Sequence, residues 1–283
     1  MHVMHLTSVE FAAAIFIIAA VAGFLGALTG LGGGVVITPA LHLLFQVDLR
    51  YAIGATLVSV IATSSGAASA YVTEGLSNIR IGMFLEIATT VGAICGAFLG
   101  SRIPTSALAV ILGLVLLYSA YASANPPKDE PPPEHTDALA ARFRLHGTTL
   151  RAGIPEPYVV QQVKLGFAMM FGAGTISGLL GIGSGALKVI AMDRVMRIPF
   201  KVSTATSNFM IGVTAAASAG VYLHRGYIDP VLAGPVMLGV LFGAVAGARI
   251  LPGARTRALR LVFAVVVAAL ALELIVSGVQ GAV

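Results

Sequence analysis

The sequence predicts an all-α protein that crosses a membrane about eight times and contains two homologous repeats, each with a broken or re-entrant glycine-rich segment. Three observations lead to this fold class. Hydrophobic residues make up 57% of the 283 residues and charged residues only 10%, whereas soluble domains carry about 25% charged residues. Apolar runs long enough to span a bilayer recur between short charged loops, as helical spans require. A glycine run also occurs twice at matching places.

The apolar runs define eight predicted membrane spans. The first could be mistaken for a signal peptide. However, no Lys or Arg precedes it and the apolar stretch continues to Phe45, far beyond a signal-peptide core of about 7 to 15 residues. We therefore expect it to be retained. The predicted spans are 9–29, 52–73, 81–101, 105–123, 165–182, 202–223, 230–248 and 259–277.

An internal duplication follows from four sequence matches that occur in the same order in both halves. Their offsets are 150, 151 and 147 residues, so only small gaps separate them. We infer that residues 22–103 repeat as residues 173–250. The matches are Gly30–Gly34 with Gly181–Gly185, Ala55-Thr56 with Ala205-Thr206, Tyr71 and Gly75 with Tyr222 and Gly226, and Gly96–Ile103 with Gly243–Ile250.

The predicted domain organisation has a first membrane repeat at 1–123, a polar linker at 124–163 and a second repeat at 164–283. The linker begins with a proline cluster at Asn125–Glu134, which favours an extended chain over a helix. Two segments rich in strand-forming residues, Phe143–Thr149 and Tyr158–Val163, flank a Gly/Pro turn. They predict a small hairpin, with a disordered loop as the alternative.

The number of crossings in each half depends on the glycine run. A kink within one long span gives four crossings and parallel repeats, whereas a re-entrant hairpin gives three crossings and inverted repeats. A full extra crossing is excluded in the second half, because only Ala186–Met192 separate the run from Asp193. Of the 17 Lys and Arg, parallel repeats place 10 inside and 7 outside, and inverted repeats 14 and 3. This difference comes largely from the linker, so both topologies remain open.

The glycine runs also indicate an anion site. A helix that restarts after such a run directs unpaired N–H groups and a positive dipole end into the protein. The alternative is close helix packing through small residues. Lys188 could face the same cavity or reach the interface, and the hydroxyl and amide groups that follow could bind an oxyanion. The candidate substrate-binding residues are Gly32, Gly33, Gly34, Thr56, Gly183, Ser184, Gly185, Lys188, Thr206, Ser207 and Asn208.

Two carboxylates, Glu86 and Glu273, fall within the predicted spans. An ionisable group inside the bilayer is a functional candidate, since its burial is costly. Glu86 is the stronger candidate for a coupling proton, although it lies about five residues from a predicted span end. Glu273 is near the C-terminal span end, where a solvated role is the simpler interpretation.

Other classes of function are not supported. The sequence has no HExxH, Walker A or paired CxxC motif, so we predict no enzyme activity, cofactor or metal. The net charge of +5 sits in short loops between spans, which favours membrane orientation over nucleic-acid binding. The expected partners are a small anion and the lipid bilayer, and the sequence leaves a homodimer open. Transport without a nucleotide site must run downhill or use an ion gradient or the membrane potential.

Three segments, Gly23–Pro39, Gly178–Lys188 and Ala205–Gly212, resemble the TauE/SafE family, also called the sulfite exporter or DUF81 family. The resemblance covers nearly the whole chain. It implies a permease of the bacterial or archaeal inner membrane with eight spans in two repeats, acting on sulfite, sulfoacetate, other organosulfonates or related anions. Where the family commonly has an unbroken glycine run, this chain has Ser184, so the specific substrate does not transfer with the motif.

The leading hypothesis is therefore a secondary transporter that moves a small anion by alternating access around a central glycine-rich site. An anion channel using the same donors as a filter is one alternative. A membrane scaffold without transport activity is another.

Overall fold

The computed structural model describes residues 8–29, 33–73, 77–124, 137–151, 154–250 and 256–281. These residues form helices and one small hairpin, which confirms the predicted all-α membrane fold. Each of the eight predicted spans corresponds to one long helix. The elements are α1 Ser8–Thr29, α2 Gly34–Phe45, α3 Leu49–Thr73, α4 Ile79–Gly100, α5 Thr105–Ala124, α6 Ala138–Arg142, β1 Gly147–Arg151, β2 Ile154–Tyr158, α7 Val163–Leu180, α8 Gly185–Ile190, a π-helical turn Ala191–Val195, α9 Phe200–His224, α10 Pro230–Ile250 and α11 Thr256–Gln280.

Six of the described helices are long and apolar enough to cross a membrane, namely α1, α4, α5, α7, α10 and α11. The remaining long helices, α3 and α9, have 25 residues each but carry many hydroxyl groups. They pack against each other, and α3 also contacts α2 and α10 while α9 contacts α4 and α8. Many of the hydroxyl groups of α3 and α9 are buried within the protein, as intramembrane polar groups require.

Gly33 and Gly34, the described residues of the first glycine run, lie at the turn of a re-entrant hairpin. A Cβ atom added to Gly33 would lie 3.2 Å from the Gly23 Cα, so the chain has turned back beside α1. At the other end of the hairpin, the Phe11 ring at the start of α1 contacts the Phe45 ring at the end of α2, with centroids 5.6 Å apart. The helix α2 therefore runs antiparallel to α1 and ends on the side where α1 begins. Residues 30–32 lie outside the described ranges.

The second glycine run has the same arrangement. The helix α7 ends at Leu180, and α8 with its π-helical turn leads back toward the start of α7. The Met196 carbonyl, just after that turn, accepts a hydrogen bond of 3.0 Å from the Gln161 backbone N–H. The Met196 side chain also lies against Gly166 in the first turn of α7. Each half therefore contains one helical hairpin at its glycine run and three further long helices.

The helices that correspond in sequence run in opposite directions. In the pair α3 and α9, Gly54 lies against Tyr227 and Gly212 lies against Ser64, so the two helices are antiparallel. The pair α5 and α11 is antiparallel for the same reason, since Gly113 lies against Ile275 and the contacts continue in opposite order. This is the geometry expected of inverted repeats, with a two-fold axis in the membrane plane. The common origin of the two halves stays an inference from the sequence.

Contacts between the halves depend on small residues. A Cβ atom at Gly174 or Gly178 of α7 would collide with the carbonyl oxygens of Thr89 or Ala93 on α4. On the other side of the molecule, Gly243 of α10 approaches the backbone of α1 just as closely. Such close approach is typical of membrane helices that associate through small residues.

The linker segment 137–162 caps the side of the membrane opposite Ser8. Its strands pair in an antiparallel register with Thr149 opposite Glu156, so the hairpin is displaced from the pairing that the sequence suggested. Apolar side chains fasten it to the start of α4 and the end of the π-helical turn. This cluster contains Ala140, Leu145, Tyr158 and Val160 from the linker and Ile81, Leu85, Met192 and Met196 from the membrane helices.

Asp137 connects the linker to α7. Its carboxylate accepts hydrogen bonds from the backbone N–H groups of Val163, at 2.9 Å, and Leu139, at 2.8 Å. These N–H groups, that of Val163 foremost, hold the pKa of the Asp137 carboxyl below its usual range. One side chain thereby caps the short helix α6 and the first turn of α7.

Candidate functional site

The turns of the two re-entrant hairpins meet between the halves. A Cβ atom at Gly34 would lie 3.7 Å from the carbonyl oxygen of Ile182 in the other hairpin. The side chain of Val60 on α3 lies against both Gly34 and Gly183. The predicted glycine segments Gly33–Gly34 and Gly183–Gly185 therefore come together, whereas Gly32 lies outside the described residues.

Both turns present the beginning of a helix to this junction. The Gly33 carbonyl accepts hydrogen bonds from the N–H groups of Val36 and Ile37, at 3.1 and 3.2 Å. In the second hairpin, the Ser184 carbonyl accepts the Lys188 N–H at 3.1 Å. The first N–H groups of a helix have no acceptor within it. The predicted backbone donors are thus positioned inside the protein.

Ser184 has two unusual properties. Its φ of 43° lies in the left-handed region, which costs a residue with a Cβ atom about 1–2 kcal/mol. Its hydroxyl is buried and has no hydrogen-bond partner among the described residues. Backbone strain and an unsatisfied buried hydroxyl both cost stability, and such features are concentrated at functional sites.

Lys188 is fully buried, with 0% of its surface exposed. It lies on α8, one turn after Gly185, and its Nζ donates a hydrogen bond of 2.5 Å to the Thr214 hydroxyl on α9. The side chain therefore does not reach the membrane surface. A buried ammonium group is costly unless an anion compensates its charge.

Glu86 supplies that compensating charge within the protein. The Thr214 hydroxyl is 2.7 Å from Glu86 Oε1, and the Thr90 hydroxyl donates to the same oxygen at 3.1 Å. Glu86 is 8% exposed, and its Oε2 is buried without a partner in the described part of the chain. We call Glu86, Thr214 and Lys188 the relay triad. It joins α4 of the first half to α8 and α9 of the second.

The other predicted hydroxyl groups have structural partners. Thr56 accepts a 2.9 Å hydrogen bond from Thr38 and thereby fastens α2 to α3. Thr206 accepts the backbone N–H of Asn78 at 3.0 Å, close to the linker. Ser207 is at the junction of the hairpins, where its hydroxyl donates to the Gly185 carbonyl at 3.3 Å.

The sequence pointed to two further residues, one as a substrate ligand and one as an intramembrane carboxylate. Asn208 is half-buried on α9, and Glu273 is exposed on α11. The sequence singled out Glu86 and Lys188 separately and did not identify Thr214, which joins them. Thr214 is one of many hydroxyl residues on α9, and its role depends on where α4 crosses that helix.

A polar cleft of about 290 Å³ opens beside the linker. Asn78 closes one wall, because its amide group donates to the Tyr158 hydroxyl at 2.6 Å. Burial raises the pKa of the Tyr158 phenol, so this hydroxyl stays protonated near neutral pH. The lining residues are Ser77, Asn78, Ile79, Arg80, Gly147, Thr148, Tyr158 and Val202.

Known proteins similar to this chain are named as probable membrane transporters. The family described as sulfite exporter TauE/SafE matches residues 15–274. A probable membrane transporter protein YunE of Bacillus subtilis (strain 168) is 28% identical over 266 residues, which are 92% of this chain and 95% of the relative. A second probable membrane transporter protein of that organism, YdhB, is 28% identical over 235 residues, which are 83% of this chain and 86% of the relative.

A more distant similarity extends to part of a longer protein. The probable membrane transporter protein MamO of Paramagnetospirillum magneticum (strain ATCC 700264 / AMB-1) is 29% identical over 209 residues, which are 66% of this chain and 32% of the relative. No solved structure gives a significant match. With the family match covering nearly all of the membrane helices, the chain belongs to the sulfite exporter TauE/SafE family, whose members are membrane transporters and not enzymes.

Proposed function

We propose that the protein is a secondary transporter for a small sulfur-containing anion, such as sulfite, sulfoacetate or another organosulfonate, in a bacterial or archaeal cell membrane. The observation that carries this proposal is Lys188, a fully buried cation one turn from the junction of the re-entrant hairpins. Glu86 balances this charge through Thr214 within the protein, and an anion that enters would compete with the carboxylate for Lys188. Its position beside backbone N–H donors suits an oxyanion, which needs both charge and hydrogen bonds.

The arrangement of the halves supports alternating access. The relay triad and the hairpin junction both combine residues from the two halves, and the closely packed pairs α1–α10 and α4–α7 also join one half to the other. Rocking of one half against the other would open the hairpin junction first to one side of the membrane and then to the other. The substrate would contact Lys188, Ser207, Ser184 and the N–H groups of the glycine turns.

The distribution of basic residues favours a cytoplasmic linker. On the side where α1 begins, the described loops contain Arg50, Arg102 and Arg225. The described residues on the linker side carry more positive charge, which is the feature of cytoplasmic loops. They include Arg80, Arg142, Arg144, Lys164, Arg194, Arg197 and Lys201.

Counterflow in proteoliposomes tests this function. Vesicles loaded with unlabelled sulfite, sulfoacetate or methanesulfonate should transiently accumulate the labelled form of the transported anion above equilibrium. We expect Lys188→Ala to lower this accumulation more than tenfold, because the cation that binds the anion is lost. Lys164→Ala, which changes an exposed lysine at the start of α7, is the matched control and should retain wild-type transport.

The same measurement separates the alternatives. A channel cannot accumulate labelled substrate by counterflow, so an anion leak without counterflow would favour the channel over the transporter. Wild-type counterflow in both Lys188→Ala and Gly33→Leu would overturn the proposed site, because a Leu at Gly33 has to displace Val240, 3.0 Å from the Cβ position. No counterflow of any of the three anions by the wild-type protein would overturn the proposed substrate class.

A further inference from the structure

We infer that the relay triad couples anion transport to a proton: Glu86 binds one proton when an anion binds Lys188, and it releases the proton when the anion leaves. The inference rests on the proposed function, since it names the coupling ion of the same site. It predicts that a proton and the anion cross the membrane in the same direction.

The geometry allows the anion and Glu86 to compete for Lys188. Without substrate, the Lys188 ammonium donates to Thr214, and the Thr214 hydroxyl is within 2.7 Å of Glu86 Oε1. The hydroxyl has a second acceptor at hand, because the Met210 carbonyl on its own helix is 2.9 Å away. Thr214 can therefore turn away from Glu86 without losing its hydrogen bond when an anion takes over Lys188.

Charge balance then requires a proton. The empty triad contains one cation and one carboxylate, so its net charge is zero. An incoming monoanion would leave two negative charges and one positive charge in a buried site, which is costly in a medium of low polarity. A hydronium ion from the aqueous phase transfers its proton to Glu86, which forms an O–H bond on the carboxylate, leaves a neutral water molecule and restores a net charge of zero. Oε2 is the oxygen without a partner in the described residues, so it is free to receive this proton.

The other charged groups near α4 do not provide an alternative. In α7 and α9, the long helices packed against α4, the described titratable residues lie near helix ends, including Tyr222, whose hydroxyl donates to the Leu179 carbonyl. Lys164 is in the first turn of α7, while Lys201 and His224 are at opposite ends of α9. Asp193 and Arg194 belong to the π-helical turn at the linker side. Glu86 and Lys188 are therefore the two charges that face each other within the membrane region of these elements.

Proton coupling is tested with the anion that shows counterflow. Wild-type protein is reconstituted with a pH-sensitive dye inside the vesicles, and a pH gradient, acid outside, is imposed without an anion gradient. We expect the anion to accumulate several-fold inside, with internal acidification that is absent when the anion is omitted. A permanently ionised sulfonate such as methanesulfonate avoids protonation of the substrate itself.

Substitutions then assign the proton to Glu86. In Glu86→Gln the carboxamide cannot bind a proton, so exchange should continue at a reduced rate while accumulation driven by the pH gradient is lost. Glu86→Asp keeps a titratable group and should recover part of that response. Glu273→Gln, which changes the exposed carboxylate on α11, is the matched control and should respond like the wild type.

The outcomes distinguish the two proposals. If the wild-type protein shows counterflow but no accumulation under the pH gradient, the transporter proposal stands and proton coupling is rejected. A Glu86→Gln variant that accumulates the anion like the wild type would also reject it. If no anion shows counterflow, both proposals fail together.

Discussion

The two re-entrant hairpins have the same path through the protein but different chemistry at the same place. Lys188, three residues after the second glycine run, corresponds in sequence to Ile37 after the first run. Both side chains are buried, with 0% and 2% exposure. The scaffold therefore provides two equivalent buried positions, and a charge occupies one of them. The comparison indicates that the two hairpins are equivalent in position but differ in the charge that they carry.

The surroundings of the two positions differ accordingly. The first hairpin is fastened by a neutral hydrogen bond between Thr38 and Thr56. Thr214 corresponds in sequence to Ser64, whose hydroxyl donates to the Ile61 carbonyl of its own helix. The helix α10, which corresponds to α4, contains no carboxylate to match Glu86. The set of positions equivalent to the relay triad, namely Ile37 and Ser64 of the first half and α10 of the second, thus lacks both charged groups.

The largest loss of stability is expected when one of the two charges of the relay triad is removed. Lys188→Met leaves Glu86 buried without its cation, and breaking a buried pair in this way costs about 3–5 kcal/mol. The double variant Lys188→Met with Glu86→Gln removes both charges, so most of the stability should return while transport stays absent. Thermal unfolding in detergent compares Lys188→Met, Glu86→Gln and the double variant with the wild type. Additive losses in the double variant would show that the two charges are not coupled.

The matched position gives the control for this measurement. Ile37→Met changes the shape of a buried side chain and leaves its charge unaltered, and such swaps usually cost less than about 1.5 kcal/mol. A loss in Ile37→Met as large as that in Lys188→Met would mean that packing, and not charge, explains the destabilisation.

A second large effect is expected where the halves touch. Gly174→Leu should disrupt the contact between α7 and α4, because even a Cβ atom would collide with the Thr89 carbonyl oxygen. We expect the variant to aggregate or to lose several kcal/mol of stability, by analogy with other overpacked cores. Gly172→Leu on the same helix has open space around the added side chain and should stay within about 0.5 kcal/mol of the wild type. Size-exclusion profiles and thermal unfolding compare the two, and equal behaviour would contradict the packing interpretation.

A smaller effect concerns the two glycine runs themselves. Ser184 has a φ of 43°, whereas the matching Gly33 has a φ of −67°, which any residue adopts. Ser184→Gly should therefore stabilise the protein by about 1 kcal/mol, since the left-handed strain of a residue with a Cβ atom is removed. If the Ser184 hydroxyl contacts the anion, the same variant should bind it more weakly. A stabilised variant with unchanged anion affinity would leave the hydroxyl without a role in binding.

The eight long helices could be predicted because a bilayer demands about 20 apolar residues for each crossing. The re-entrant turn could not, since the chain from residue 9 to Phe45 is apolar throughout and hydropathy is the same for a kink and a hairpin. The contacts of Gly33 with Gly23 and of Phe11 with Phe45 decide between them. These contacts are between residues far apart in sequence, which a single sequence does not reveal.

The site was partly predictable for a similar reason. A lysine and a glutamate within apolar runs are conspicuous, so Glu86 and Lys188 were identified from composition alone. The structural roles of Thr56 and Thr206 could not be foreseen, because hydroxyl groups that hold helices together have the same sequence signature as those that bind a ligand. Their partners Thr38 and Asn78 become neighbours only through the fold.

The smallest effect is expected at the helix caps, where Asp137 in the linker can be compared with Asp229 in the second half. Asp137 receives the N–H groups of Leu139 and Val163, whereas Asp229 receives the N–H of Val231 at the start of α10. Because its folded-state pKa is lowered, the stabilisation from Asp137 is fully present above the ordinary aspartate pKa. It is lost as the pH falls through the lower folded-state value. Acidification below about pH 4 should therefore loosen the junction of the linker with α7.

Hydrogen exchange of the backbone amides measures this effect. Asp137→Ala at neutral pH should reproduce the acid-induced loss of protection at Leu139 and Val163, with a cost of about 0.5–2 kcal/mol for the lost cap. Asp229→Ala should affect the start of α10 alone and leave the linker amides protected. If acidification exposes the linker amides equally in the wild type and in Asp137→Ala, another group controls the junction, and the linker is not fastened to α7 by this carboxylate.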